Sequence, residues 1–205
     1  MGEAVRSLGG DVRSGPRQRC GSVRAAADRA HALGCDTLVN CTGVGARSLA
    51  GDRAVVLGRG ATLLYPRDGG GAAEYDDAVV ITEEPPWGTA RDPAYVIPRG
   101  DVYVVGGTYH LGEAGTDMTP AERRRIERTA ARVLPKKVIA KGTAGRRRSW
   151  VGFRPVREGT VRCELDTENY GHENMRIVHN YGHGGSGWTI GFGSVHDVLQ
   201  MLEVE

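Results

Sequence analysis

The segment from Arg176 to Thr189 limits the fold of this chain more than any other stretch. A predicted strand, Met175–Asn180, enters a turn that contains Gly182, Gly184 and Gly187, and helical spacing follows. The glycines satisfy the G-x-G-x-x-G spacing, although no further strand can be built after that helix. Such a turn directs backbone N–H groups and a helix N-terminus at an anion or at the edge of an electron-rich ring. The alternative is a tight strand–helix connection without a ligand.

The composition places this strand, turn and helix in a soluble globular protein. The chain has 205 residues, of which 25% are charged, and a net charge of +2, so nothing indicates a nucleic-acid partner or an anionic membrane. No apolar run approaches the roughly 18 residues that a membrane span requires, and the N-terminus is not a secretory signal. The four cysteines form no C-x-x-C pair, which is typical of reduced thiols.

Residues 22–45 have the sequence pattern of an α/β layer. Apolar residues recur at helical spacing between Ser22, a cap residue, and Gly34. Asp36–Cys41 is a short apolar run that predicts a buried strand, and it leads into the glycine turn Thr42–Gly45. Helix, strand and glycine turn in this order are typical of a nucleotide-binding layer.

From Ala54 onward the pattern changes to that of an antiparallel sheet. Short β-branched runs alternate with Gly- and Pro-rich turns, and they are Ala54–Leu57, Ala61–Tyr65, Ala78–Thr82, Ala94–Ile97 and Val102–Val105. Arg99-Gly100-Asp101 joins the last two runs as a hairpin. The remaining predicted elements are a helix from Thr119 to about Val133, strands at Val161–Leu165 and Met175–Asn180, and a helix from Ser186 to Glu203. The predicted apolar face of that last helix consists of Val195, Val198, Leu199 and Leu202.

The predicted fold class is therefore α+β / α/β, a partial α/β layer beside an antiparallel-sheet domain. The predicted boundaries assign residues 1–53 and 146–205 to the α/β layer and residues 54–145 to the sheet domain. The chain would thus leave the layer for the sheet and return to it.

Three side chains outside the glycine turn are candidates for a site. Arg154 precedes Pro155, which favours an extended backbone at the arginine. Arginine is suited to gripping a carboxylate with two parallel hydrogen bonds, and a surface ion pair is the alternative. Tyr95 and Tyr109 lie near opposite ends of the hairpin's strands, either as core residues or as hydroxyl donors in a site.

No group of side chains predicts metal or acid–base chemistry. The histidines of the C-terminal part have no carboxylate or further histidine at ligand spacing, and they are His179, His183 and His196. No Ser/His/Asp arrangement is present in the pattern either. We therefore predict no metal site and no catalytic side chain.

Six motifs follow one another along the chain, namely Asn40–Val44, Gly58-Arg59-Gly60, Tyr95–Pro98, Gly106–Tyr109, Gly152–Arg157 and His179–Gly187. Their series resembles the D-amino-acid oxidase family, which includes the D-aspartate oxidases. The resemblance covers about residues 36–202, and the last two motifs are highly specific to the family. It implies a flavin-binding α/β domain joined to an antiparallel-sheet substrate domain, which agrees with the change in pattern near residue 54.

The resemblance also implies a cofactor and the residues that contact it. FAD would lie against Thr42 and Gly43, and the residues lining its flavin ring would be Gly184, Gly185, Ser186, Gly187, Trp188 and Thr189. The helix N-terminus at this turn would favour negative charge on the reduced ring. For the substrate, the resemblance places Arg154 and Tyr95 at the α-carboxylate, Tyr109 beside them, and the carbonyl of Gly185 at the amine.

The implied reaction is oxidative deamination of a D-amino acid by hydride transfer to the flavin, which yields a 2-oxo acid, ammonia and hydrogen peroxide. Alignment and electrostatics supply the catalysis, so no side-chain base is required. The implied partners are a D-amino acid and oxygen, and a homodimer is expected. We favour substrates with neutral side chains, because no second arginine can be assigned to the pocket.

The chain departs from the family pattern before Asp36, where no strand with a G-x-G-x-x-G turn is found. We therefore expect weak FAD binding, or none, and an exposed sheet edge at Asp36–Cys41. Two alternatives stay open: a flavin amine oxidase of the glycine- or sarcosine-oxidising kind, and a non-catalytic remnant or interaction module. The C-terminal sequence Leu202–Glu205 has no S-K-L-type address, so we expect the cytosol rather than the peroxisome of eukaryotic relatives.

Overall fold

Two β-sheets organise the computed structural model of this chain. The structure describes residues 6–7, 9–11, 19–67, 76–81, 93–168, 170–172 and 174–203. Its helices and strands are, in chain order, α1 (Val23–Ala32), β1 (Thr37–Asn40), α2 (Ala46–Leu49), β2 (Val55–Pro66), β3 (Val79–Ile81), β4 (Ala94–Arg99), β5 (Val102–Gly106), β6 (His110–Leu111), α3 (Pro120–Val133), α4 (Lys136–Lys141), β7 (Arg148–Arg157), β8 (Arg162–Leu165), β9 (Arg176–Tyr181) and α5 (Gly187–Met201).

The smaller sheet has three strands and a helix on each face. Its order is β1-β9-β8, with β1 parallel and β8 antiparallel to β9. Successive side chains of a strand point to opposite faces. Ile177 of β9 therefore packs against α1, whereas Val178 packs against α5. The predicted α/β layer is thus confirmed, with α1 capped by Ser22, whose side chain accepts from the N–H of Ala25 at 3.2 Å.

The larger sheet is antiparallel and is centred on β2, which has 12 residues. Its order is β3-β4-β5-β2-β6, and β7 pairs with β2 on the other side. The hairpin of β4 and β5 is confirmed, with Gly100 in the left-handed region at a φ of 58°. The prediction of two separate strands at Ala54–Leu57 and Ala61–Tyr65 is wrong, because pairing with β7 continues without a break from Val55 to Leu64.

The sequence does not predict β7, because Pro155 lies within it and proline cannot donate to a ladder. The strand tolerates this proline since it lies at the edge of the sheet and pairs with β2 on one side. Its residues, Arg148–Arg157, fall within the 146–205 range that the boundaries assign to the α/β layer. The boundaries themselves stay a prediction.

One face of the larger sheet is closed by α3. Leu63, Tyr65 and Val105 of the sheet are buried in a single cluster with Ile126 and Ala130 of the helix. Burying a large apolar side chain stabilises a fold by about 1.5–3 kcal/mol. This cluster therefore forms the main core of the chain.

A buried ion pair joins α3 to β2. Arg59 and Glu122 are 2% and 8% exposed, and Arg59 donates to both carboxylate oxygens of Glu122. The guanidinium also donates to the carbonyls of Gly115 and Asp117, both at 2.6 Å. Thr119 caps α3 and forms a capping box with Glu122. Burial raises the pKa of Glu122, but hydrogen bonds from Arg59 and Thr119 outweigh that effect and lower the pKa to about 2.

The apolar face of α5 is only half covered. Val198 and Leu202 are buried against the sheet, whereas Val195 and Leu199 are 52% and 40% exposed. The helix lies over β8 and β9. Of the four residues of the predicted apolar face, two are therefore covered by the sheet.

Replacing Glu122 with alanine should lower the free energy of unfolding by about 3–5 kcal/mol, because the buried guanidinium of Arg59 would lose its counter-charge. Urea denaturation followed by circular dichroism measures this loss. The matched control is Glu113→Ala, since the side chain of Glu113 is 58% exposed and an exposed pair contributes at most about 1 kcal/mol. Equal losses in the two variants would contradict the assignment of Glu122 as the counter-charge of the buried Arg59.

Glu122 should also make stability depend on pH. Its pKa in the folded chain is about 2, below the ordinary value of 4.5, so folding favours the ionised carboxylate. This stabilisation is complete above about pH 5 and is lost as the pH falls from about 4.5 towards 2. We expect Glu122→Gln to lose less stability than the unsubstituted chain across this window in urea titrations. A loss as steep as in the unsubstituted chain would show that other carboxylates account for it.

Candidate active site

Neighbouring strands of the larger sheet present a row of side chains on one face. Residues directly opposite each other in an antiparallel pair share a face. Tyr95 pairs with Gly106, Gly106 with Thr62, and Thr62 with Trp150. Two residues along, Gly60 pairs with Gly152, and beyond them Gly58 pairs with Arg154. The side chains of Tyr95, Trp150 and Arg154 therefore lie on one face of the larger sheet, which we call the floor of the site.

Glycines make room for the large side chains of this floor. A Cβ atom at Gly106 would overlap the ring of Tyr95, and one at Gly152 would overlap the ring of Trp150. A Cβ atom at Gly60 would overlap the guanidinium of Arg154. These three large side chains can therefore lie flat on the sheet because their neighbours have no side chain.

Arg154 is the cation of the site. Its Cζ atom lies 5.6 Å from the centre of the Tyr109 ring, a cation–π distance. The backbone of the glycine turn closes over its stem, since a Cβ atom at Gly185 would lie 3.5 Å from Cδ of Arg154. No carboxylate pairs with this arginine within the described part of the chain. The guanidinium is therefore available to an anionic ligand.

Tyr95 brings a protonated hydroxyl to the same place. Burial raises the pKa of its phenol, and the positive charge of Arg154 offsets only part of that effect. A phenol with a raised pKa keeps its proton at neutral pH and donates it in a hydrogen bond. Arg154 and Tyr95 therefore present N–H and O–H donors to the same cavity.

The glycine turn connects β9 to the N-terminus of α5. Gly182 and Gly184 adopt φ angles of 94° and 57°, which residues with a side chain rarely adopt. The N–H of Gly184 donates to the carbonyl of Pro155 at 2.9 Å, which fixes the turn beside β7. Ser186 caps α5 without a side-chain hydrogen bond to the helix. The first N–H groups of α5 are thus free of a side-chain cap, as an anion-binding helix end requires.

A hydrogen-bond chain behind the turn holds α5 in place. His183 and Ser194 are joined at 2.9 Å between Nε2 and Oγ, and the hydroxyl of Ser194 donates to Oδ1 of Asn180. Since Ser194 uses its proton on Asn180, it accepts from Nε2–H of His183. The sequence analysis assigned no role to these contacts.

A second chain of hydrogen bonds orders the turn after β1. Asn40 donates to Nδ1 of the buried His179 at 3.0 Å, and Nε2 of His179 lies 2.8 Å from the carboxylate of Asp166. His179 therefore carries its proton on Nε2 and donates it to Asp166. Oδ1 of Asn40 accepts from the Thr42 hydroxyl at 2.7 Å. Thr42 is in this way tied to the sheet.

These elements line an open cavity of about 900 Å³, at the upper end of the range for small-molecule sites. The predicted site residues that line it are Gly43, Tyr95, Arg154, Gly184, Gly185, Gly187 and Trp188. The four others lie beside it: Thr42 bonded to Asn40, Tyr109 over Arg154, Ser186 at the cap and Thr189 in the first turn of α5.

Several lining residues were missed by the sequence analysis, and they are Thr62, Trp150, Phe153, Asn180, His183, Phe192 and Ser194. Thr62 and Trp150 could have been found only from the register of β2 and β7. His183 and Asn180 belong to a motif that was recognised, yet their bonds to Ser194 require the turn to fold back on the helix. Within the described residues no cluster could hold a metal ion.

A model of one protein family matches residues 1–200, and its description is FAD dependent oxidoreductase, DAO. The chain belongs to this family. The predicted family and the predicted α+β fold class are therefore confirmed. FAD is the cofactor of this family.

Curated members of the family are similar to this chain over part of their length. A D-amino-acid oxidase of Dictyostelium discoideum is 32% identical over 168 residues, which is 82% of this chain and 43% of the relative. A D-amino-acid oxidase of Rubrobacter xylanophilus is 36% identical over 168 residues, or 82% of this chain and 46% of the relative. The chain therefore spans less than half the length of these two relatives.

A solved structure shares the fold. Glycine oxidase from Geobacillus kaustophilus superimposes with a TM-score of 0.58 at 17% identity, over 83% of this chain and 42% of that one. At this identity the likeness concerns the fold alone. None of the described helices is long and apolar enough to span a membrane.

Ser194→Ala should lower the free energy of unfolding by about 1–3 kcal/mol, because Asn180 is buried and would lose the donor to its side-chain oxygen. Thermal unfolding followed by circular dichroism measures the change. Ser48→Ala is the control, since the Ser48 hydroxyl makes an exposed bond to the carbonyl of Gly45. Equal losses in the two variants would show that the hydrogen bonds among His183, Ser194 and Asn180 stabilise the fold no more than an exposed hydrogen bond does.

Proposed function

We propose that this chain provides the substrate-binding arginine and the flavin-facing turn of an FAD-dependent D-amino-acid oxidase. The observation that carries the proposal is Arg154, a guanidinium without a carboxylate partner in the described chain, which lies on the floor of the cavity beside Tyr95 and beneath the glycine turn. A guanidinium without a counter-charge that lies between the phenol of Tyr95 and the N-terminus of α5 suits a ligand with a carboxylate at one end.

The residues present fit the ring portion of FAD. The cavity is mostly apolar, and the turn Gly184–Gly187 meets it at the N-terminus of α5. Gly43 lies beside β7 and adopts a φ of 56°, which residues with a side chain rarely adopt. When bound, FAD would accept the α-hydrogen of the substrate with its electron pair and pass two electrons to oxygen. The helix end would stabilise negative charge on the reduced ring.

The side chains of this chain would bind and orient the amino acid. Arg154 would hold the α-carboxylate with two parallel N–H bonds, and the hydroxyl of Tyr95 would donate a third bond. The ring of Tyr109 lies at a cation–π distance from this guanidinium. The carbonyl of Gly185 would accept a hydrogen bond from an N–H of the neutral amine. Such a grip directs the α-hydrogen at the cofactor, so no side-chain base is needed.

The cavity favours D-amino acids with neutral side chains. Arg154 is the one permanently charged side chain among its lining residues in the described chain, and the proposal uses it for the α-carboxylate. A second carboxylate would therefore be buried without a counter-charge, which is costly. The rings of Trp150 and Phe153 offer an apolar surface instead.

A glycine- or sarcosine-oxidising enzyme is the second candidate, because an enzyme of this kind can have the same fold. The similarity to curated D-amino-acid oxidases favours D-amino acids. Hydrogen peroxide production from D-alanine, L-alanine, glycine and sarcosine separates the two. A non-catalytic remnant would produce none with any of them.

Excess FAD added to the purified chain should bind weakly, with saturable quenching of flavin fluorescence but incomplete retention on desalting. The reason is that the described residues place one helix N-terminus at the cavity, which serves the ring and leaves the pyrophosphate without its own. The visible spectrum after desalting and a fluorescence titration measure this. An unsaturable titration would contradict flavin binding and favour the remnant.

Arg154→Ala should lower kcat/KM for D-alanine in the FAD-loaded protein by a factor of about 10²–10⁴, since two charge-assisted hydrogen bonds of about 1.5–3 kcal/mol each would be lost. Arg154→Lys should recover only part, because lysine cannot form the paired bonds. The matched control is Arg148→Ala, an exposed arginine near the far end of the same strand. Full activity in Arg154→Ala would rule out the proposal that Arg154 binds the α-carboxylate of the substrate.

A further inference from the structure

The segment between β5 and β6 bulges out of the larger sheet. At its start, Gly106 of β5 pairs with Thr62 of β2. At its end, His110 of β6 pairs with Arg59 of β2. Between these pairs β2 has residues 60–61, whereas the opposite segment has residues 107–109 and is therefore one residue longer. An extra residue of this kind is a β-bulge, which re-aims a side chain and is common next to active sites.

The bulge decides which face of the sheet receives Tyr109. Without the extra residue, a ladder continued from β5 would place Tyr109 opposite Arg59. Residues that lie opposite each other share a face, and the side chain of Arg59 points to Glu122 of α3. Because the bulge shifts the register by one residue, Tyr109 lies instead on the cavity face, where its ring centre is 5.6 Å from Cζ of Arg154.

Both neighbours of Tyr109 in the chain contact one carboxylate oxygen of α3. The hydroxyl of Thr108 donates to Oε1 of Glu122 at 3.3 Å, and Nε2 of His110 lies 3.3 Å from the same atom. Thr108 and Glu122 are buried, so bulk water does not compete for their hydrogen bond. The helix therefore holds the chain on each side of Tyr109.

The hydroxyl of Thr108 also takes the place of a carbonyl acceptor at the bulge. The N–H of Ala61, a buried residue of β2, donates to Oγ1 of Thr108 at 3.0 Å. A hydroxyl can accept one hydrogen bond and donate another, and Thr108 does both. A buried N–H group that lost this acceptor would destabilise the local backbone. One hydroxyl thus connects the backbone of β2, the bulge and the carboxylate of Glu122.

We infer that Thr108 is a positioning residue of the proposed oxidase site. Its hydroxyl holds the bulge between Ala61 and Glu122, so that the ring of Tyr109 stays beside the guanidinium of Arg154. The side chain of Thr108 points to α3, so it acts on the substrate carboxylate through Tyr109 and Arg154 rather than by contact. This inference deepens the proposed function and rests on it for the identity of the ligand.

Nuclear magnetic resonance of the purified chain, with isotope-labelled tyrosine and arginine and no flavin, tests the inference. In the unsubstituted chain we expect a nuclear Overhauser effect between the ring of Tyr109 and the side chain of Arg154. Thr108→Val keeps the shape of the side chain and removes the hydroxyl, so this signal should fall at least threefold. Thr108→Ser restores the hydroxyl and should retain the signal.

D-alanine is the carboxylate probe for the consequence at the site. Its Kd, from a titration monitored by the Arg154 side-chain resonances, should rise about three- to tenfold in Thr108→Val, because the guanidinium loses its cation–π neighbour. Thr108→Ser should stay within about twofold of the unsubstituted chain. The matched control is Thr129→Val, since Thr129 is a buried threonine of α3 outside the bulge, and it should leave both readouts unchanged. Circular dichroism checks the folding of each variant.

Three results would overturn the inference: an unchanged Overhauser effect in Thr108→Val, a lost effect without a rise in the Kd of D-alanine, or a Thr129→Val variant that matches Thr108→Val. If Thr108→Val does not fold, His110→Ala decides instead, because it removes the other contact with Glu122 from a half-buried side chain. An unchanged ring signal in that variant would then overturn the inference.

The proposed function and the role of Thr108 can fail separately. If D-alanine does not bind the unsubstituted chain, the proposal that Arg154 holds a substrate carboxylate fails. The Overhauser effect between Tyr109 and Arg154 needs no ligand, so it still decides whether Thr108 positions the tyrosine.

Discussion

The ladder between β2 and β7 is the contact on which the rest of this structure depends. It runs from Val55 opposite Arg157 to Leu64 opposite Arg148, and it brings the chain back from the larger sheet to β8 of the smaller one. It also decides which side chains face the cavity. A slip of one residue would turn Arg154 to the opposite face, so the position of the cation and the junction of the two sheets share one register.

The junction is reinforced by a second group of polar contacts. The carboxylate of Asp52 accepts from Arg157 at 2.8 Å and from the hydroxyl of Tyr181 at 2.9 Å, and Arg162 donates to that same hydroxyl at 2.9 Å. Burial raises the pKa of Asp52, but these hydrogen bonds outweigh it and lower the pKa below its ordinary value. Arg157, the last residue of β7, is therefore neutralised in place by Asp52, which leaves Arg154 as the cation facing the cavity.

Much of the secondary structure could be predicted from local pattern, because α1, the β4–β5 hairpin and the capped α3 each depend on residues close in sequence. The failures have one physical origin. β7 contains a proline and was not predicted, and β2 contains Gly58 and Gly60, which divided it into two predicted strands. Long-range pairing overrides propensity there, and the glycines that weaken the signal are those that make room for Arg154.

By itself the sequence determined the chemistry of the site: a glycine turn at a helix N-terminus, an arginine ahead of a proline, and tyrosines at strand ends. Only the tertiary structure decided which of these meet. It aligned Tyr95 and Trp150 across strands far apart in sequence, and it left α5 half covered. The reason is that a side chain's identity sets which interactions it can make, whereas its partner depends on strand register and layer packing, which arise from contacts between distant parts of the chain.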